Sequence, residues 1–304
     1  MRAFVDTHRA SFGVEPICQV LQIAPSGYRR NAAQQRDPAL RCVRAQRDDV
    51  LMPEIERVWQ TNLEVYGADK VWRQMKREGT EVARCTVERL MRRLGLRGAV
   101  RGRLVRTTIP DPKQPCPLDR VNRQFSAERP NQLWVSDFTY VSTWQGWLYV
   151  AFVIDVFARR IVGWRVSSSM HTDFVLDALE QALYARQPER DRSLIHHSDR
   201  GAQYVSVRYS ARLSEAGIEP SVGSKGDSYD NALAETINGL YKAELIHRRV
   251  PWKTKEAVEL ATLEWVAWFN QHRLLEPIGY IPPAEAEANY YRQLASQTES
   301  AACT

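Results

Sequence analysis

Apolar positions recur at helical spacing through the first third of the chain and at strand spacing through the middle. In DKVWRQMKREG (69–79), Val71, Trp72 and Met75 share one helical face, and Gly79 stops the run. In ARCTVERLMRRLG (83–95), Val87, Leu90, Met91 and Leu94 do the same ahead of Gly95. Two short helices joined by a tight turn have the outline of a helix-turn-helix unit, placed at about 54–97. Its second helix would offer Arg84, Thr86 and Arg89 to a major groove, although any helical hairpin shares the outline. PICQVLQIAPSGYRR (16–30) repeats the helix-breaker-helix pattern and could be part of a second such unit.

Between 107 and 130 periodicity stops and prolines gather at 110, 112, 115, 117 and 130, the mark of a linker. Beyond it NQLWVSDFTYVST, GWLYVAFVIDVFA and RIVGWRVSSS, separated by WQG and ARR, read as three antiparallel strands. A helical pattern (171–187), a short strand in SLIHHSD, a helix ending at Gly217, a short strand in IEPSVG and a last helix follow. The order βββ-α-β-α-β-α predicts an α/β fold, a mixed five-stranded sheet with helices on both faces. The expected divisions are a helical DNA-binding region over 1–106, the linker over 107–130, the α/β core over 131–250 and a helical extension over 251–304. In that extension Trp265, Trp268 and Phe269 recur at helical spacing and are expected to be core, with a base-stacking platform as the alternative.

Composition narrows the function. The longest apolar run, WLYVAFVI, is far short of the roughly 20 residues that a membrane helix needs. The first residues lack a sustained apolar region, so neither a secretory nor a transit signal is read and a cytoplasmic location is expected. Five widely spaced cysteines without a Cys-x-x-Cys pair argue against a disulfide framework and a zinc site. Charge is local. From Lys70 to Arg106 there are twelve Lys or Arg against three Glu, a net +9 in a chain whose total is +6. A basic helical block is the footprint of phosphate binding, and of DNA as partner, because neutralised phosphates release their counterions; a solvated basic face is the plainer alternative.

Three acids stand where acids are costly or conspicuous: Asp137 inside the apolar strand LWVSDFTYV, Asp199 at the end of the short strand IHHSD, and Glu235 on the last helix. Hard oxygen ligands without histidine or cysteine point to Mg²⁺ or Mn²⁺, and a pair of such ions serves phosphoryl transfer. Their spacing alone decides little in an acid-rich chain; their placement carries the reading. On an α-helix Lys242, seven residues beyond Glu235, is rotated from it by only about 20° and displaced by about 10 Å. Asn231 and Asn238 lie on the same stripe, opposite Leu233, Ile237 and Leu240. Of His196 and His197 at most one shares the side of the sheet used by Asp199, and packing or support of the site is the expected role, assigned to His197. Asp155, in VAFVIDVFA, either satisfies a backbone group at a strand end or supports the acids from behind. The glycine- and serine-rich stretch 221–230 suits a segment that closes on DNA.

These blocks together resemble the second-frame (OrfB) protein of bacterial insertion-sequence DDE transposases of the two-overlapping-frame type, in the retroviral-integrase superfamily. YGADKVWRQMKREG with EVARCTVERLMRRLGL resembles the family's helix-turn-helix region; LWVSDFTYVST, IHHSDRGAQY and SYDNALAETINGLYKAEL resemble its three acidic blocks; WFNQHRL with IPPAE resembles its carboxy-terminal segment. The resemblance covers roughly 64–291. It implies a ribonuclease-H-like core, Asp137, Asp199 and Glu235 as catalytic acids holding two Mg²⁺ (or Mn²⁺) ions, and Lys242 as a contact to the element end. It further implies DNA ends and target as partners, a homo-oligomer on DNA, and an upstream-frame (OrfA-type) partner or fusion. Two other readings stay open: a ribonuclease-H-like nuclease that cuts without joining, and a DNA-binding regulator without catalysis.

Overall fold

A computed structural model of the chain describes residues 1–102, 126–191, 193–199, 203–204, 206–222 and 232–302. The expected linker at 107–130 lies mostly outside the described residues, as do Asn231 and most of the stretch 221–230. The chain divides into two compact units, Met1–Thr61 with Val71–Arg97, and Asn62–Lys70 with Gly98–Thr304.

The smaller unit is helical: α1 (Arg2–Phe12), α2 (Val14–Val20), α3 (Pro25–Arg36), α4 (Val43–Thr61), most of α5 (Ala68–Arg77) and α6 (Arg84–Leu94). Val5, Ile17, Cys18 and Tyr28 form a small core among the first three helices, and the helix-breaker-helix pattern at 16–30 becomes α2 and α3. The apolar stripe predicted for the helix-turn-helix is the buried one, with Val71, Met75, Val87, Leu90 and Met91 inside. Gly95 adopts the left-handed conformation (φ 72°) that ends α6, and the Leu96 N–H returns to the Met91 carbonyl at 2.9 Å.

The larger unit is built on five strands: β1 (Leu133–Thr143), β2 (Gly146–Asp155), β3 (Arg160–Ser167), β4 (Ile195–Ser198) and β5 (Glu219–Val222). Their order across the sheet is 3-2-1-4-5; β1–β3 form an antiparallel meander, and β4 and β5 run parallel to β1. This is the mixed sheet of the ribonuclease-H-like fold. Alternation of side chains decides what each face buries. Ala151 and Val153 join Trp134, Phe174, Leu179 and Leu213 under α7 (Thr172–Arg186) and α8 (Val207–Glu215). Phe152 points the other way, onto Tyr241 of α9 (Ala232–Tyr241) and Trp265 of α10 (Lys255–Gln271), with ring centroids 5.2 and 6.1 Å away. Burying a side chain of that kind stabilises by about 1.5–3 kcal/mol. Trp265, Trp268 and Phe269 are buried, as their periodicity predicts.

Close approach on the α7 face is made possible by Gly163 of β3, where a Cβ would stand 2.1 Å from the Ala178 carbonyl oxygen. At the outer edge of β3, the Asn270 carboxamide stands in for a neighbouring strand, accepting from the Ile161 N–H (3.0 Å) and donating to its carbonyl (2.8 Å). A π-helical turn, Lys242–Ile246, follows α9, and α11 (Pro283–Ala302) closes the chain. Among the described residues no helix is long and apolar enough to cross a membrane.

Candidate active site

β1 sets the position of Asp137. The antiparallel register places it opposite Phe152, so its side chain leaves the sheet on the α9 and α10 side. β4 runs parallel to β1 with Ser198 opposite Ser136. Asp199 is the next residue, so two carboxylates stand at one level on adjacent segments. α9 packs on β1 and contributes Asn238, whose Nδ2 donates to Asp137 Oδ2 at 2.9 Å, while the Phe138 N–H donates to Oδ1 at 2.8 Å. Glu235 lies one turn earlier on α9 and is exposed.

Electrostatics tie these acids together. Asp137 keeps a little contact with solvent but is densely surrounded, and burial pushes its carboxyl up to about 7. The negative charge of Asp199 is the next largest contribution to that rise, and Glu235 adds to it; the Phe138 and Asn238 donors oppose it. Glu235 is itself raised by partial burial. Among the described residues no three His, Cys, Asp or Glu side chains are gathered at ligand distances around one point.

Lys242 opens the π-helical turn, with its Nζ 4.6 Å from the ring centre of Tyr140. Burial lowers its pKa and the charge of Asp137 raises it, so it sits within electrostatic range of the acids. His197 lies on the Asp137 side of the sheet by strand alternation, fully buried, with Nδ1 2.9 Å from Ser221 Oγ. His196 faces the other way; its Nε2 lies 2.8 Å from Ser136 Oγ and 3.1 Å from Tyr209 OH, and burial depresses it to about 3, so it is neutral.

Two residues have partners that the sequence does not announce. Asn238 is buried and donates to Asp137, which it orients. Asp155 does not support the acids. It pairs with Trp134, three positions from Phe152, and so belongs to the opposite face, where it accepts from the Asn131 and Phe157 N–H groups and from Arg186.

In the helix-turn-helix, Arg84 is exposed and Thr86 half-buried on the first turn of α6. Arg89 instead makes two parallel hydrogen bonds, 2.9 and 2.7 Å, to the buried Asp48 of α4, and holds that carboxyl below its usual range. Arg89→Ala is therefore expected to lower the melting temperature of the protein, with any loss of DNA affinity following from that. Retained thermal stability with selective loss of affinity, measured by melting and anisotropy side by side, would return Arg89 to the groove.

Family models for an integrase core domain match residues 127–228 and 216–283, and one for an HTH-like domain matches 46–103. The transposase for insertion sequence element IS629 of Shigella sonnei is 61% identical over 294 residues, 97% of this chain and 98% of that one. The chain belongs to the insertion-sequence transposases. A second relative of the transposase, that for insertion sequence element IS3411 of Escherichia coli, is 60% identical over 188 residues, covering 62% of this chain and 78% of that one. The solved catalytic core domain of HTLV-2 integrase (dimeric form, in complex with magnesium) is 15% identical and covers 53% of the transposase and 98% of that domain, at a TM-score of 0.42.

Two residues of the transposase site escaped sequence reading. Tyr140, 56% exposed on β1, carries Lys242 over its ring; alternation of aromatic and polar residues in DFTYVST hints at it only as strand pattern. Tyr204 is buried in the core under α7 and α8, its hydroxyl has no hydrogen-bond partner among the described residues, and burial first, then neighbouring charges that include Asp137 and Asp199, raises its pKa. It ends the block IHHSDRGAQY, where the acid and not the tyrosine marks the site.

Proposed function

We propose that this transposase carries out metal-dependent DNA strand cleavage and strand transfer of an insertion sequence, with Asp137, Asp199 and Glu235 as catalytic and metal-binding acids. The observation that carries the reading is the placement of Asp137 inside the sheet, its two oxygens held by Asn238 and the Phe138 N–H, with Asp199 following the parallel neighbour strand at the same level; the raised pKa of Asp137, from burial and then the charges of Asp199 and Glu235, agrees with it. Oxygen donors alone, without histidine or cysteine, suit a hard divalent cation. Bound among them, two Mg²⁺ or Mn²⁺ ions supply charge neutralisation and activation of water or a DNA 3′ hydroxyl for in-line attack on phosphorus. The chain's own part is to hold the donors: the Phe138 N–H and Asn238 fix both oxygens of Asp137, and β1 with β4 fixes the level of Asp199.

The proposed partners are the element ends and a target DNA, acting in the cytoplasm, with at least two copies of the chain needed to hold two ends and an upstream-frame protein as partner or fusion. Arg84 and Thr86 on α6, Lys242 beside the acids, and Asn231 are the proposed DNA contacts, and His197 supports the acidic face. Lys242→Met is expected to weaken binding of an element end about equally for all sequences and to reduce the salt slope of log K by about 1. An unchanged slope in salt-dependent anisotropy removes Lys242 from the contact set.

The deciding assay is joining of labelled element ends by the purified chain, with and without the upstream-frame protein. Joined product is expected in Mg²⁺ and none after chelation. Joining that persists in chelator overturns the reading.

A further inference from the structure

A second site lies on the far side of α9 from Asp137, wholly within the larger unit. Thr236, Ile237 and Leu240 of α9 and Phe269 of α10 line a cavity of about 240 Å³. On a helix, positions 236 and 240 point about 160° away from position 238, which faces the acids. Four cations reach this cavity from four stretches of chain, Lys70, Arg101, Arg159 and Arg273, against one lining carboxylate, Glu276.

The four are held differently. Arg273 is buried and neutralised by Glu244, which accepts two bonds from its Nε at 3.1 and 3.0 Å. Arg101 donates to the Thr236 carbonyl and lies flat on α9 at Gly239, where a Cβ would stand 3.3 Å from its guanidinium carbon. Lys70 sits over the Tyr66 ring, its Nζ 5.5 Å from the centre, and Arg159 sits in the β2–β3 turn at φ 57°. Neither Lys70 nor Arg159 has an ion pair among the described residues. Burial, then the charge of Arg273, depresses Lys70 to about 8, and burial lowers Arg101 and Arg159. Gathering like charges in a part-buried space is unfavourable, so an anion that binds there gains the relief as affinity.

The geometry points to this cavity as a binding site for one phosphate group of a polynucleotide backbone, held by Lys70, Arg101 and Arg159, with its sugar against Leu240 and Pro277. Guanidinium groups match phosphate oxygens two at a time. The volume is below the roughly 300 Å³ at which pockets begin to take drug-sized ligands, which suits a phosphate and part of a sugar over a whole nucleotide cofactor. The choice of a polynucleotide rests on the function proposed above; the phosphate chemistry does not.

The test uses the full chain without metal. Inorganic phosphate is titrated against chloride at equal ionic strength while melting is followed, and a labelled duplex element end is titrated by anisotropy at several salt concentrations. Wild type is expected to gain melting temperature with phosphate. The Lys70→Met/Arg159→Gln double variant is expected to lose that gain, to bind DNA about tenfold more weakly and to lose about 0.9 of salt slope, with Arg159→Lys restoring part of each. Phosphate-dependent protection of Lys70 from amine acylation, read on wild type by mass spectrometry, decides the site even where the variants fold poorly. A lost phosphate response with unchanged DNA binding marks a free-phosphate site and overturns the polynucleotide assignment. No phosphate response and no protection overturns the site entirely. If wild type fails to join element ends in Mg²⁺, the proposed function falls, while the phosphate titration still rules on the cavity.

Discussion

Asp137→Asn is expected to abolish joining of element ends in Mg²⁺ and, in the same protein, to raise the melting temperature of the metal-free chain above pH 7. Losing a group that only supports a metal ligand typically costs 10–100-fold, so loss of a donor itself is expected to exceed about 100-fold. The stability gain follows from linkage. The folded-state carboxyl is raised to about 7 from an ordinary 3.8, so the stability it contributes is complete below about pH 4 and is lost as pH rises through 7. An uncharged amide escapes that loss, a gain on the order of a few kcal/mol at most by pH 8, shrinking to nothing near pH 4. The fold accommodates the change, because Asn238 Oδ1 is buried with no hydrogen-bond partner and its carboxamide can turn to accept from the new amide. The same titration makes protons compete with the cation, so the Mg²⁺ concentration needed for joining is expected to climb as pH falls below 7. Melting curves of both proteins from pH 5 to pH 8.5 and a joining assay settle the matter; a variant that joins normally, or that is less stable than wild type at pH 8, contradicts the assignment.

Arg186→Leu is the second large effect, on stability and not on chemistry. The Arg186 guanidinium, at the end of α7, bonds Asp155 (3.0 Å) and Glu287 of α11 (2.7 and 3.0 Å), and its Nε bonds Asn131 Oδ1 (2.9 Å). Asp155 is 0% exposed and Glu287 3%. Removing the cation leaves Asp155 charged and buried with only backbone donors, whereas Glu287 retains Arg160. Breaking a buried pair on one side costs about 3–5 kcal/mol. Urea unfolding at pH 7.5 is expected to show that loss, and adding Asp155→Asn to Arg186→Leu is expected to recover part of it. A loss under about 1 kcal/mol would mean that the cluster is solvated in solution.

Much of this architecture was legible locally. The period of two in LWVSDFTYV and the period of 3.6 in ETINGLYKAEL are properties of neighbouring residues, and so is the oddity of a carboxylate in an apolar strand. The rest is decided across long distances. Asn238 reads as one more polar residue on the face of α9 until its partner, 101 residues away, is seen to be Asp137. The two roles open to Asp155, backbone partner or support of the acids, are separated only by the strand register that sends it to the other face. Arg89 reads as part of a DNA-facing basic stripe, and nothing near it announces Asp48, 41 residues earlier. The stretch Asn62–Lys70, expected within the amino-terminal region, packs with the larger unit, where Tyr66 OH receives the Leu274 N–H at 2.8 Å and donates to the His272 carbonyl.

Gly163 gives the absence of a side chain a mechanical meaning. Because α7 touches down on β3 there, the seat of the whole helix is set by backbone against backbone. Any larger residue would jack α7 off the strand, and the guanidinium riding at its far end would be dragged from its two carboxylates. A single methyl on the edge strand would thus strip one of the two cations from Glu287 of α11, leaving Arg160, without touching an acid of the site.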